Sequence, residues 1–192
     1  RYEFSRDTSA YASYSRGFKS GIFNGNSATV TPVNPENLDA FEVGLKTALF
    51  DRRVQANIAL FYDNYKNLQV QTVAPNNTSQ LQNAATSRIY GLDADVSWRV
   101  TPRFDLHGGV SLLHDRFTDF ASAQLYQPIV LPNGLLGGNT ASFGPVTGNR
   151  LIRTPDYTIN LGGTYSAPLA NGRIDLSTQL FVSGSYYFDV QN

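Results

Sequence analysis

Between Pro35 and Tyr65 the chain alternates with a period of two, and no other feature restricts its fold so tightly. Phe41, Val43, Leu45, Thr47 and Leu49 fall on one face, with Glu42, Gly44, Lys46 and Ala48 on the other. A helix would scatter these residues round its circumference, whereas a strand lines them up. Phe50-Asp51-Arg52-Arg53 interrupts. Val54, Ala56, Ile58, Leu60 and Tyr62 then resume the pattern against Gln55, Asn57, Ala59 and Phe61. Two alternating limbs about four residues apart predict a β-hairpin. Setting Leu49 opposite Val54 pairs Thr47 with Ala56, Leu45 with Ile58, Val43 with Leu60 and Phe41 with Tyr62. One face is then oily throughout. The other pairs Lys46 with Asn57 and Glu42 with Phe61, and is mostly wet.

The design recurs downstream. Tyr90, Leu92, Ala94, Val96 and Trp98 alternate with Ile89, Gly91, Asp93, Asp95 and Ser97. After a tight turn at Val100-Thr101-Pro102-Arg103, the residues Phe104, Leu106, Gly108, Val110 and Leu112 continue the apolar face. Tyr157, Ile159, Leu161, Gly163 and Tyr165 form another limb, and Ile174, Leu176, Thr178, Leu180 and Val182 follow a turn around Pro168–Gly172. Thr8–Phe18 reads as a strand of poor parity, because Tyr11 and Tyr14 fall on opposite faces. Residues 1–7 read as the tail of an earlier strand and a polar turn. Lys19–Asn37, Thr72–Asn83 and the long span from Arg116 to Arg153 read as loops.

Long and short connections therefore alternate, as in outer-membrane barrels with tight turns at one rim and long loops at the other. With the short turns placed at the bottom, Phe41, Tyr62, Tyr90 and Tyr157 lie at the top of the apolar face. Trp98, Phe104 and Tyr165 lie at its bottom. Tyr90 to Trp98 and Tyr157 to Tyr165 are the same interval, which spans roughly 21 Å of height at ~3.4 Å per residue and ~40° tilt. That is close to the ~25 Å apolar band between aromatic girdles.

Composition agrees with this setting. The chain has 192 residues, 41% of them hydrophobic, and a formal charge of zero; its mean hydropathy is −0.26. No apolar run reaches the roughly 18 residues of a membrane helix. A membrane barrel looks this average because half of each strand faces water. Without Cys there are neither disulfides nor thiolate metal sites, and the charge balance gives no argument for nucleic acid. The chain begins at Arg1 and contains no Met, so it reads as part of something longer. Two rivals share the pattern: a passive porin-like channel and a soluble adhesive β-domain. Against the soluble rival, the strands outrun the usual ~5–6 residues and the loops exceed those of compact domains.

The run YASYSRGFKSGIFN from Tyr11, followed by PENLDAFEVGLKTALFDRRVQANIALFYDNYKNLQV from Pro35, resembles the TonB-dependent receptors of the Gram-negative outer membrane. NAATSRIYGLDADVSW from Asn83 and NRLIRTPDYTINLGGTY from Asn149 are similar to later strands of the same barrel. The resemblance implies an all-β, antiparallel transmembrane barrel of about 22 strands around a plug, of which residues 1–192 would hold about seven. It implies active, TonB-energised import of a scarce ligand, most often a ferric siderophore, and no enzymatic activity or cofactor. Neither plug nor TonB-contacting segment is matched, so the TonB complex would be met through a missing N-terminal region. Outer-membrane lipid and lipopolysaccharide are the expected surroundings.

No catalytic set emerges. His107 and His114 lie on opposite faces of one strand, which excludes joint metal binding there. Asp93 and Asp95 share the wet face about 7 Å apart, ordinary chemistry for a lumen wall, with His107 near Asp95 in some registers. Asn77-Thr78-Ser79 matches a glycosylation acceptor without weight in a bacterium, and Gly134–Gly138 lacks the strand and helix of a nucleotide site. Recognition belongs to the long loops and upper rim. The candidate ligand contacts there are Arg16, Lys19, Phe23, Arg88, Arg116, Tyr126 and Arg150. Arg and Lys suit an anionic, carboxylate- or catecholate-rich ligand. They suit lipopolysaccharide phosphates equally well, or simply solvate the loops.

Overall fold

A computed structural model describes residues 1–24, 31–73, 79–83 and 86–192; Asn77 and Thr78 of the acceptor triplet lie outside them. Every regular element among the described residues is a strand. In chain order these are β1 (Tyr2–Glu3), β2 (Thr8–Lys19), β3 (Ile22–Asn24), β4 (Thr31–Val33), β5 (Glu36–Leu49), β6 (Val54–Lys66) and β7 (Gln69–Val73). Then come β8 (Ser79–Asn83), β9 (Thr86–Thr101), β10 (Phe104–Asp119), β11 (Ala123–Val130), β12 (Leu136–Gly144), β13 (Tyr157–Leu169) and β14 (Gly172–Ser183). One sheet of eight antiparallel strands runs β1-β2-β5-β6-β9-β10-β13-β14, and β3-β4, β7-β8 and β11-β12 form separate two-stranded hairpins.

The hairpin register is the one read from periodicity: Leu49 faces Val54, Leu45 faces Ile58 and Phe41 faces Tyr62. Extending the ladders aligns Tyr14, Phe41, Tyr62, Tyr90 and His114 in one row across five strands. Adjacent rings meet at 4.9 Å (Tyr14 to Phe41), 6.4 Å (Phe41 to Tyr62) and 5.0 Å (Tyr90 to His114). Tyr157 joins one step along, opposite Leu112. At the other end Trp98 pairs with Val54 and Leu106, and Phe104 with Tyr165. Between these two aromatic bands Val43, Leu45, Ile58, Leu60, Val96 and Leu161 are all exposed.

The spans Lys19–Asn37, Thr72–Asn83 and Arg116–Arg153 are not plain loops, since each carries paired strands. Within the first, β3 pairs with β4; after β6 ends at Lys66, Asn67 turns the chain at φ 56°. Residues 72–73 and 79–83 belong to the paired β7 and β8, and the Arg116–Arg153 span begins with the end of β10 and then folds into the β11-β12 hairpin. Each long connection thus carries a small hairpin at one rim, while short turns close the other. Gly134–Gly138 forms the β11-β12 tip and start of β12, with Gly134 at φ 78° and Gly138 at φ 111°.

The buried apolar cluster sits at the hairpin rim and not under the sheet. Phe117, Phe120, Ala123, Val146 and Leu151 form it, with Leu68, Val70, Ile89, Leu125 and Val190 packed around. Residues 146–156 run beside upper β10, in line with β13: Phe117 N donates to Asn149 O and Leu113 N to Asp156 O, both at 2.8 Å. The rim hairpins are stitched by side-chain amides. Asn24 exchanges bonds with both backbone groups of Leu81, Gln69 donates to Ser20 O and Asn34 O, and Gln82 donates to Ser122 O.

Candidate functional site

The face opposite the oily one is a polar wall. Ser13, Ser15, Glu42, Phe61, Asp63 and Asp93 border a groove of about 370 Å³ on it. Asn57 Nδ2 donates to Asp95 Oδ2 at 2.8 Å. The ladder puts Ser97, not Asp95, opposite His107, and Gly109 opposite Asp95. Tyr11 lies over Gly44, where an added Cβ would strike the ring, and its other flank meets Lys46 Nζ at 5.4 Å from the centroid. His107 occupies the equivalent space over Gly162. Large side chains thus lie flat along this wall wherever a cross-strand glycine leaves room. Among the described residues no group of three or more His, Asp or Glu is placed to hold a metal.

The seven rim candidates separate into three groups. Arg16, Arg88 and Arg116 stand on the oily face, in step with Tyr14, Tyr90 and His114. Arg16 Nε pairs with Asp39 at 3.2 Å, the Arg88 guanidinium lies 5.8 Å from the centre of the Tyr62 ring, and Arg116 touches the His114 ring. Arg150 is part of an internal clamp. It bonds Asp115 at 3.2 Å, Asp156 at 2.8 Å and Thr154 O at 2.6 Å. Asp115 itself is 1% exposed and also accepts the Leu151 N–H.

Lys19, Phe23 and Tyr126 form the third group. Lys19 ends β2 opposite Glu36 on the polar face, and exposed Phe23 faces Pro32 in the β3-β4 hairpin. Tyr126 belongs to β11 opposite Ala141. It helps to line a small cavity of about 90 Å³ with Val70, Phe120, Ile152, Phe188 and Val190, and its hydroxyl is buried with no hydrogen-bond partner. Gln191 Nε2 donates to the Tyr126 carbonyl at 3.1 Å, bringing the last residues over this rim.

An eight-stranded antiparallel wall, oily on one face, polar on the other and looped at one rim, has counterparts among known proteins. The profile of the family described as TonB dependent receptor-like, beta-barrel, matches residues 1–192. The chain belongs to the TonB-dependent receptor β-barrel family. Within it, the chain is similar to the probable TonB-dependent receptor BfrD of Bordetella pertussis, 32% identical over 94 residues, 47% of this chain and 12% of that protein. It is also similar to the ferric-pyoverdine 358 receptor of Pseudomonas putida, 31% identical over 122 residues, 62% of this chain and 14% of that protein. The chain spans only those small fractions of the relatives it matches. In fold it resembles the ferric yersiniabactin uptake receptor FyuA of Yersinia pestis, with a TM-score of 0.75 and 20% identity over 100% of this chain and 26% of that one. TonB-dependent receptors are a family of transport receptors, not of enzymes.

Proposed function

We propose that this chain is one sector of a TonB-dependent receptor barrel in the outer membrane of a Gram-negative bacterium, importing a scarce ligand, foremost a ferric siderophore. What supports the reading is the family membership of the whole chain together with relatives named for ferric-pyoverdine and ferric-yersiniabactin. The open edges of β1 and β14 take the neighbouring strands of the closed barrel, since unpaired backbone groups are not tolerated in lipid. A plug lies outside this sector, and energy reaches the receptor from the TonB complex through that region. The polar wall lines the lumen, and Lys19 and the exposed Phe23 meet the cargo at its mouth, while Tyr126 supports the rim from within its cavity. A cation and an aromatic ring suit an anionic, catecholate- or carboxylate-bearing chelate.

The test is uptake by the full-length protein in cells lacking their own copy. Iron-limited growth on a panel of ferric siderophores should need both this protein and TonB. Lys19→Gln and Phe23→Ala should weaken cargo binding without altering barrel assembly. Uptake that persists without TonB, together with free leakage of small sugars through the protein in vesicles, would instead identify a passive channel.

A further inference from the structure

Asparagine followed by glycine occurs at Asn24, Asn133 and Asn171. In such a pair the glycine nitrogen can attack the asparagine side chain, because no side chain on the glycine shields it. The fold treats these pairs differently. Asn24 is 9% exposed, and both ends of its amide are spent on Leu81, donating to the carbonyl at 2.8 Å and accepting the N–H at 2.9 Å. Asn171 is exposed, but Gly172 is laddered to Leu169 within the eight-stranded sheet.

Asn133 stands at the tip of β11-β12, a hairpin that pairs with no other described strand. A lone two-stranded hairpin is barely stable in water, so its tip opens locally at little cost. Asn133 and Gly134 are both exposed, and nothing lies within 4 Å of the place a Gly134 Cβ would occupy. Asn133 Oδ1 accepts the Leu135 N–H at 3.1 Å, which curls the side chain over the Gly134 peptide. One bond opposes attack, from the Gly134 N–H to Leu131 O at 2.9 Å.

We propose that Asn133 is a site of spontaneous modification, deamidation through a succinimide. The Gly134 nitrogen bonds to Cγ of Asn133, the Cγ–Nδ2 bond breaks, and ammonia leaves with the proton that the Gly134 amide gives up. Water then opens the ring at either carbonyl, leaving aspartate or isoaspartate. No oxidant, reductant or cofactor enters. The span from Phe120 to Asn149 contains no Asp, Glu, Lys, Arg or His, so the product carboxylate is the first charge in it. It appears beside the exposed Val130, Leu131, Leu135 and Leu136. Isoaspartate also adds a methylene to the main chain, which strains the bond from Leu131 N to Leu135 O, 2.8 Å in the intact tip. The site rests on the geometry of the hairpin and needs neither a cargo nor a lipid.

The experiment incubates the full-length receptor in detergent at mildly alkaline pH, beside synthetic peptides carrying the same Asn-Gly pairs. Peptide mass spectrometry follows the amide-to-acid mass gain at each pair, and isoaspartate methyltransferase labelling marks the isomer. The free peptides should convert at similar rates. In the folded receptor Asn133 should convert first, within about fivefold of its peptide, since a single exposed hydrogen bond stands in the way. Asn171 should follow more slowly. Asn24 should lag its peptide about thirtyfold, the factor supplied by two hydrogen bonds of ordinary net strength. Heat-modifiable migration in detergent gels confirms that the receptor stays folded throughout. Asn133 retained in the receptor while its peptide converts overturns the proposal. So does conversion of Asn171 ahead of Asn133, or equal rates at every pair, which would mean that the fold plays no part.

Discussion

Leu45 and Ile58 face each other across β5 and β6 and are 40% and 44% exposed, whereas Phe117, on the polar side of upper β10, is 1% exposed. The middle of the sheet buries its apolar side chains against nothing within the chain. The rim builds a conventional core from Phe117, Phe120, Ala123, Val146 and Leu151. The difference follows from what surrounds each region. Mid-strand backbone groups are all spent on neighbouring strands, so hydrocarbon can cover the side chains without stranding a donor. The rim stands in water, and its hairpins must exclude water from their own apolar residues. One chain thus uses two solvents, and its side chains report which one is present at each height.

The contrast breaks most visibly at Phe117. Phe117→Ala opens a cavity in the rim cluster and should cost about 3–5 kcal/mol of local stability. Amide exchange in residues 146–156 should accelerate, while folding of the intact protein into vesicles is retained. Unchanged protection of that segment would mean that the cluster does not hold the loop.

The second test inverts the first. Leu45→Arg or Ile58→Arg places a charge against hydrocarbon and should cost about 2–4 kcal/mol of folding into bilayers. Ala59→Ser, one residue on and facing the polar wall, should be nearly neutral. Equal tolerance of both changes would sink the assignment of the oily face to lipid, because strand faces invert with every residue.

The band was legible in the sequence because period two and aromatic spacing are both local, and they gave the β5-β6 register from Leu49 to Phe41. Tyr14 belongs to the upper row although the parity of Thr8–Phe18 is poor: Tyr11 lies over Gly44 on the polar face, a contact no local pattern displays. The rim hairpins read as loops because β3 and β4 are three residues each, β7 and β8 are rich in Gln, and Pro128 interrupts β11. Height in the barrel does not separate the rim residues, but parity does: Arg88 precedes Tyr90 by two and Arg116 follows His114 by two, which puts both on the oily face. Arg150 gave no such signal, since its partners Asp115 and Asp156 meet it only through the fold.

That clamp supplies the third test. Asp115→Asn retains a side-chain oxygen for the Leu151 N–H but removes the charge facing Arg150, and should cost about 1.5–3 kcal/mol. The same 146–156 amides should lose protection, to a smaller extent than with Phe117→Ala. Because both residues, neighbours on β10, hold the same 146–156 segment, the double variant should fall short of the sum of the singles. Strict additivity would separate the clamp from the core.

The smallest effect belongs to the opposite rim, where there are short turns in place of stitched hairpins. Phe50, Asp51 and Arg52 close β5 onto β6 with φ of 55°, 53° and 64°. Three consecutive side-chain-bearing residues in the left-handed region are tolerated because the ladders on either side hold them there. Arg52 also reaches Asp7 at 2.7 Å in the neighbouring turn, so its replacement would confound strain with a lost ion pair. Asp51 is exposed and serves as the cleaner probe. A β-branched side chain is the worst occupant of this conformation, and Asp51→Val should cost about 1–2 kcal/mol. Asp51→Gly relieves the Cβ conflict but frees the unfolded chain, leaving a gain of roughly half a kcal/mol. Urea unfolding of the intact protein from vesicles measures both. If valine and glycine proved equivalent at this position, the turn would not be held in the left-handed region in the membrane, and the short-turn rim would be as adaptable as the hairpin rim above it.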